Sequence, residues 1–170
     1  MRYLTLIAGG VCAALALGSA ASAQQAAAPA PPPSWPSPGP AISLDQAKKA
    51  MDAAMAKGKT TPYQYAFAVV GPTGNLISFE IQDGALTAAG EIAINKARTA
   101  ATFSRPTKVF FDAVEAGHQF VTTLAPYIVA SPGGLPLIAD GKVIGAIGVS
   151  GGPNGLIDQA AAQAGVDALK

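Results

Sequence analysis

The segment Asp140-Gly141-Lys142-Val143-Ile144-Gly145-Ala146-Ile147-Gly148-Val149-Ser150 joins an Asp-Gly turn to an apolar strand that carries two glycines. Asp-Gly between apolar runs marks a hairpin, because both central residues of the favoured turn need positive φ. Glycine inside a strand costs packing, so Gly145 and Gly148 are expected where another backbone, a helix or a ligand comes close. Along this strand Val143, Gly145, Ile147 and Val149 point one way, and Ile144, Ala146, Gly148 and Ser150 the other. Neither set is polar. Both faces are therefore expected to be covered, by helices or in part by a partner subunit.

The N-terminus reads as an export signal over residues 1–23. It has one charge at Arg2, an apolar run from Leu4 to Leu17 and the small-residue site Ala21-Ser22-Ala23. The run is too short for a stable bilayer span. Cleavage after Ala23 removes Cys12, the only cysteine, and leaves ten basic residues (11 less Arg2) against ten acidic ones. No disulfide can form in such a chain, and a near-neutral surface gives little electrostatic reason to bind nucleic acid. The protein is expected to be periplasmic or secreted, with no membrane span after signal cleavage.

Residues 24–42 are rich in Ala and Pro and read as a semi-rigid linker. Trp35 is unusual there, either an exposed aromatic or one docked on the domain. Residues 43–170 suffice for one domain with its own core. Ser43 with Gln46 forms a capping box, and Gly58 is a natural stop, so a helix is expected over 44–57. Strands at 65–70 and 76–80 are joined by the turn Pro72-Thr73-Gly74-Asn75. A long helix over 88–103 has alanines at helical spacing, and a short helix capped by Thr107 ends near Gly117. Strands follow near Ile128-Val129, at 135–139 and at 142–149, then a helix capped by Asn154. The order α-β-β-α-α-β-β-β-α predicts an α/β (α+β) protein with a five-stranded antiparallel sheet flanked by helices.

The hairpin at Asp140, together with Asp83-Gly84-Ala85, Lys96-Ala97-Arg98-Thr99-Ala100 and Pro132-Gly133-Gly134-Leu135-Pro136, resembles the GlcG/HbpS family of haem-binding and haem-degrading proteins. The resemblance runs from about Ser43 to the C-terminus. It implies a profilin-like fold, haem as cofactor, and assembly into a homo-oligomer. The chain departs from the family pattern where Gly71 replaces an acidic residue and where Ile81-Gln82 stands in place of an arginine.

His118 is the only histidine and so the only imidazole available to haem iron; a structural or exposed role is its alternative. Tyr127, Tyr63 and Tyr65 are further candidates, while Met51 and Met55 at helical spacing also suit a core. Lys96 must snorkel out or find an acceptor, and Asp83 is the expected partner, in an ion pair at a pocket edge. A haem-propionate contact from Lys96 or Arg98 is the second reading. Glu80 and Asp83 together offer a weak cation site, although turn formation explains Asp83 more simply. A single histidine argues against most metal hydrolases, whose zinc sites usually draw three protein ligands from His, Cys and carboxylate residues. Ser150-Gly151-Gly152-Pro153-Asn154-Gly155 reads either as a glycine-rich anion loop before a helix or as a plain turn, and it lacks a P-loop ending. Ser150 as a nucleophile lacks a visible oxyanion arrangement.

Two functions follow. One is an exported haem-binding protein, for sequestration, sensing or degradation, with no catalytic base in view. The other is a non-enzymatic accessory module of the same fold that binds another small apolar molecule or a protein partner.

Overall fold

In the computed structural model, which describes residues 34–170, one sheet lies between two layers of helix. The expected signal at 1–23, Cys12 and the first part of the Ala/Pro segment lie outside the described residues. The elements run α1 (Leu44–Gly58), β1 (Ala66–Val70), β2 (Leu76–Ile81), α2 (Ala89–Thr102), α3 (Lys108–Glu115), a 3-10 turn (Gln119–Thr123), β3 (Gly134–Ala139), β4 (Lys142–Ser150) and α4 (Gly155–Asp167). The strands pair antiparallel in the order β2-β1-β4-β3.

Local chemistry sets several boundaries. Ser43 Oγ accepts from Gln46 N at 3.2 Å while Gln46 Oε1 accepts from Ser43 N at 3.1 Å, the reciprocal box that starts α1. Asn154 Oδ1 accepts from Leu156 N and Ile157 N and starts α4. Asp140 and Gly141 both have positive φ, 48° and 71°, as the two-residue turn of the β3-β4 hairpin requires. Thr107 precedes α3 without a side-chain cap. Its hydroxyl instead accepts from Gly134 N at 2.9 Å and fastens β3 to the start of α3.

The sheet has four strands, so the expected fifth at Ile128-Val129 is corrected. Ile128 N donates to Ala125 O in a turn, and Val129 N donates to Thr99 Oγ1 on α2. A residue of α2 thus takes the hydrogen bond that a strand would have needed. The stretch of β4 beyond the end of β1 is bordered by the Pro-rich segment. Val143 N donates to Ser37 O, Gly39 N to Val143 O and Ile42 N to Ile144 O, at 2.8 to 2.9 Å. Pro38 forms a parallel bridge with Val143. Proline tolerates such a position because it needs no ladder donor on its free side. The compact unit spans Ser34–Lys170 and includes this segment. Trp35, 43% exposed, lies under the Arg105 guanidinium, whose carbon is 4.5 Å from the ring centre.

Both faces of β1 and β4 are covered by helices of the same chain. On one face Tyr65, Phe67, Val69, Leu137, Ile147 and Val149 pack against α1 and α4, with Met51 buried and Met55 half-buried among them. On the other, Ala66, Ala68, Val70 and Ala146 pack against Ala89, Ala93, Ala97 and Ala100 of α2. This second layer is thin because its side chains are small. A Cβ on Gly148 would stand 2.6 Å from Ala97 N and closer still to the Ala93 carbonyl oxygen. The strand glycine is thus the seat of α2.

Gly148→Ala is expected to force α2 off the sheet and to cost about 3 kcal/mol or more, the upper range for overpacking a core. A denaturant midpoint equal to that of the wild type would contradict this packing.

Candidate functional site

The closeness of α2 to β4 carries one polar side chain into the interior. Lys96 lies on the buried side of α2 and is 1% exposed. Its Nζ donates to Asp158 Oδ2 at 2.7 Å and to Val149 O at 3.1 Å. The other carboxylate oxygen of Asp158, Oδ1, accepts from Gly152 N at 2.8 Å. One ion pair therefore ties α2, the end of β4, the turn after it and the first turn of α4. Burial pushes the Lys96 ammonium below the usual lysine range, and the Asp158 carboxylate beside it opposes that shift.

The pair forms the floor of a cleft of about 350 Å³. One wall is apolar and comes from Leu86, Ala89 and Ile92 at the start of α2 with Val129 opposite. The other wall is the turn Ser150–Gly155, joined by Ser131. Thr99 holds Val129 in place, since its hydroxyl accepts from Val129 N at 3.3 Å and lies 3.2 Å from Tyr127 O. Packing makes the turn rigid. A Cβ on Gly155 would come within 2.8 Å of Pro132 and Ser131, and one on Gly152 would come 2.9 Å from Asp158 Oδ1.

The structure separates the side chains singled out in the sequence. Lys96 is in the cleft floor, and its partner is Asp158 rather than Asp83. Asp83 is exposed in the turn after β2, where Gly84 has a φ of 81°. Glu80 is exposed as well, and among the described residues no three His, Cys, Asp or Glu side chains gather as a metal site. Arg98 and Tyr127 line a different hollow, of about 220 Å³, with Thr73, Asn75 and Thr102. There Arg98 Nε donates to Gly74 O, and Tyr127 Oη donates to Thr102 Oγ1, each at 3.3 Å. His118 is exposed at the start of the 3-10 turn, with its ring 6.2 Å from that of Phe120. Tyr65 is buried and its hydroxyl is 2.7 Å from Thr61 Oγ1; Tyr63 stands at the surface.

Gln82, in the place of the arginine that the family pattern suggests, clamps the start of β1. Its Oε1 accepts from Tyr65 N at 2.7 Å, and its own N–H donates to Tyr65 O. Asp158 went unnoticed in the sequence because an acidic residue in the first turn of a helix is accounted for by the helix dipole alone. Its contact with Lys96 spans 62 residues.

A four-stranded antiparallel sheet between helical layers, with a half-apolar cleft at one end of its central strand, defines an α+β module suited to a small ligand. The chain belongs to the HbpS-like family: the family model described as haem degrading protein HbpS-like matches residues 42–167. GlcG of Escherichia coli (strain K12) is 32% identical over 109 residues, which are 64% of this chain and 81% of GlcG. The crystal structure of HbpS superposes with a TM-score of 0.72 at 30% identity, covering 78% of this chain and 92% of HbpS. A crystal structure of a PduOC:heme complex has a TM-score of 0.69 at 27% identity, covering 75% of this chain and 94% of PduOC.

Asp158→Asn would leave the Lys96 ammonium buried against a neutral amide, at a cost of about 3–5 kcal/mol. Without the carboxylate that opposes the effect of burial, the Lys96 value falls further in the variant than in the wild type. Below the variant's value both proteins carry the proton when folded and the loss is full. Between the two values the folded variant has shed a proton that the folded wild type keeps, so the deficit shrinks as pH rises. Denaturant midpoints compared between about pH 6 and pH 10 should show the deficit shrinking, and a constant deficit would mean that no buried charge is involved.

Proposed function

We propose that this protein is an exported haem-binding protein, and that its ligand lies in the cleft between the start of α2 and the Ser150–Gly155 turn. The observation that carries the reading is the apolar wall of Leu86, Ala89, Ile92 and Val129, set directly above a fixed polar floor. A flat apolar macrocycle gains about 25 cal/mol for each Å² it buries on such a wall. The family match and the fold shared with HbpS and with PduOC in its haem complex support haem as that macrocycle. Export rests on the sequence of residues 1–23 alone. Assembly into a homo-oligomer belongs to the same reading, supported by exposed apolar side chains such as Phe120 and Leu124.

The fit to haem is partial in one respect. The cleft offers an apolar wall to a porphyrin face, but among the described residues no His, Tyr, Met or Cys side chain lines it. The iron would therefore be held without an imidazole from the same cleft, and His118 is a ligand only if it comes from elsewhere. That same observation favours the second reading, an accessory module whose cleft takes a different small molecule. Among the described residues the cleft's one carboxylate, Asp158, has both oxygens engaged, by Lys96 and by Gly152 N.

Titration of hemin into the purified protein is expected to give a saturable shift of the Soret band with one haem per chain. Ile92→Asp should abolish it by placing a charge on the apolar wall, and His118→Ala should leave it unchanged. If hemin produces no shift at micromolar concentration, the haem reading fails. A shift that is lost in His118→Ala and kept in Ile92→Asp would move the site to the turn at 118–124.

A further inference from the structure

We propose that the Ser150–Gly155 turn is a carboxylate-binding subsite, which takes the anionic end of a ligand whose apolar body lies on the Leu86, Ile92 and Val129 wall. The inference rests on the cleft being the ligand site and deepens that reading by naming the chemical class the cleft selects.

Ser150 is the first observation. It is 7% exposed and lines the cleft, on the face of β4 that looks toward α2. Among the described residues its hydroxyl has no hydrogen-bond partner, although the residue is more than nine-tenths buried. The side chain is enclosed except where it borders the cleft, so its hydroxyl faces the cavity and is free to donate to an acceptor there. Thr107, a comparable buried hydroxyl beside Gly134, is by contrast engaged twice, by Gly134 N and by Gly134 O.

The second observation is the backbone of the turn. Asn154 Oδ1 satisfies the amides of Leu156 and Ile157, and Asp158 Oδ1 satisfies that of Gly152. The amides of Gly151 and Gly155 have no partner among the described residues, and Gly155 opens a helix of 13 residues. Free amides at the start of a helix favour an anion through both hydrogen bonding and the helix dipole.

Charge decides which anion. Among the described residues Lys96 and Asp158 are the only charged side chains lining the cleft, and each is consumed by the other. A phosphate dianion would arrive without a free cation to offset it. A single carboxylate carries less charge and can accept from one hydroxyl and two amides, so it matches the donors present. The glycines of the turn are fixed by packing against Pro132, Ser131 and Ile157, so these donors are held in place before the ligand arrives.

Two sources of that carboxylate are separable by experiment: the acid arm of a large tetrapyrrole, and a small free carboxylate. Hemin and hemin dimethyl ester are titrated into wild-type protein, Ser150→Ala and Asn154→Asp, and the amide resonances of Gly151 and Gly155 are followed during titration with sodium butyrate and with butyramide. Wild type is expected to bind hemin about tenfold more tightly than the diester, the scale of one charge-assisted contact, and both variants should narrow that ratio to about threefold or less. Asn154→Asp keeps a helix-capping side chain and adds a negative charge beside the Gly155 amide, so it tests the subsite even if Ser150→Ala perturbs the strand. Butyrate should move both amides and butyramide neither. Equal affinity for acid and diester, with both amides silent to butyrate, overturns the subsite while leaving the haem reading intact. Amides that answer to butyrate in a protein that ignores hemin uphold the subsite and overturn haem.

Discussion

The close seating of α2 on the centre of the sheet is the constraint from which the other features of the domain follow. It is permitted by the missing side chain at Gly148 and by the alanines at 93, 97 and 100, all fully buried. A helix this close to its sheet buries little area per residue, so the layer gains less from the hydrophobic effect than the opposite one, which holds Tyr65, Phe67, Met51 and Ile147. What it gains instead is position. Backbone meets backbone at Gly148 and again at Gly134, where a Cβ would strike the peptide of Lys96. The side chain of Lys96 then has nowhere to go except across the end of the sheet to Asp158.

That crossing joins the two helical layers, since Lys96 belongs to α2 and Asp158 to α4 on the other side. A buried ion pair is weak evidence for net stability, because the desolvation of two charges offsets much of their attraction. Its value here is geometric. The same carboxylate holds Gly152 N, so the pair fixes the turn after β4, and that turn forms a wall of the cleft. An apolar pair of similar volume could stabilise the fold equally well and would leave the turn without its anchor. We read the charges as retained for register, with the cleft as the part that needs it.

Much of the fold was legible in the sequence because its signals were local. The Ser43–Gln46 box, the Asn154 cap and the Asp140-Gly141 turn each involve residues within four positions, and each is made as expected. The glycines at 145 and 148 announced close backbone contacts, and α2 and Val70 supply them. Ile128-Val129 misled because two β-branched residues look like a strand, while their hydrogen bonds are taken by Ala125 and Thr99. The Pro-rich composition of 34–42 spoke for a spacer and concealed a pairing with β4 that needs only alternate backbone groups. Asp83 was the nearest acid to Lys96 in sequence, whereas the partner in space comes from the last helix. Side-chain partners across such a span leave no trace in spacing.

The cleft's composition also bears on how such a module chooses a ligand. Its polar wall consists mostly of backbone, from Ser150 to Gly155, and that backbone is positioned by Asp158, Pro132 and Ser131. Substitutions at Leu86, Ile92 or Val129 can therefore reshape the apolar wall without disturbing the donors, because those side chains take no part in the Lys96–Asp158–Gly152 network. The iron-ligating chemistry of a haem protein would need a side chain on that adjustable wall or one brought by a neighbouring molecule, and the single imidazole of this chain lies outside it, exposed beside Phe120. An anchor made of backbone and a wall made of replaceable side chains allow one fold to keep its grip on an acid group while the body of the ligand changes.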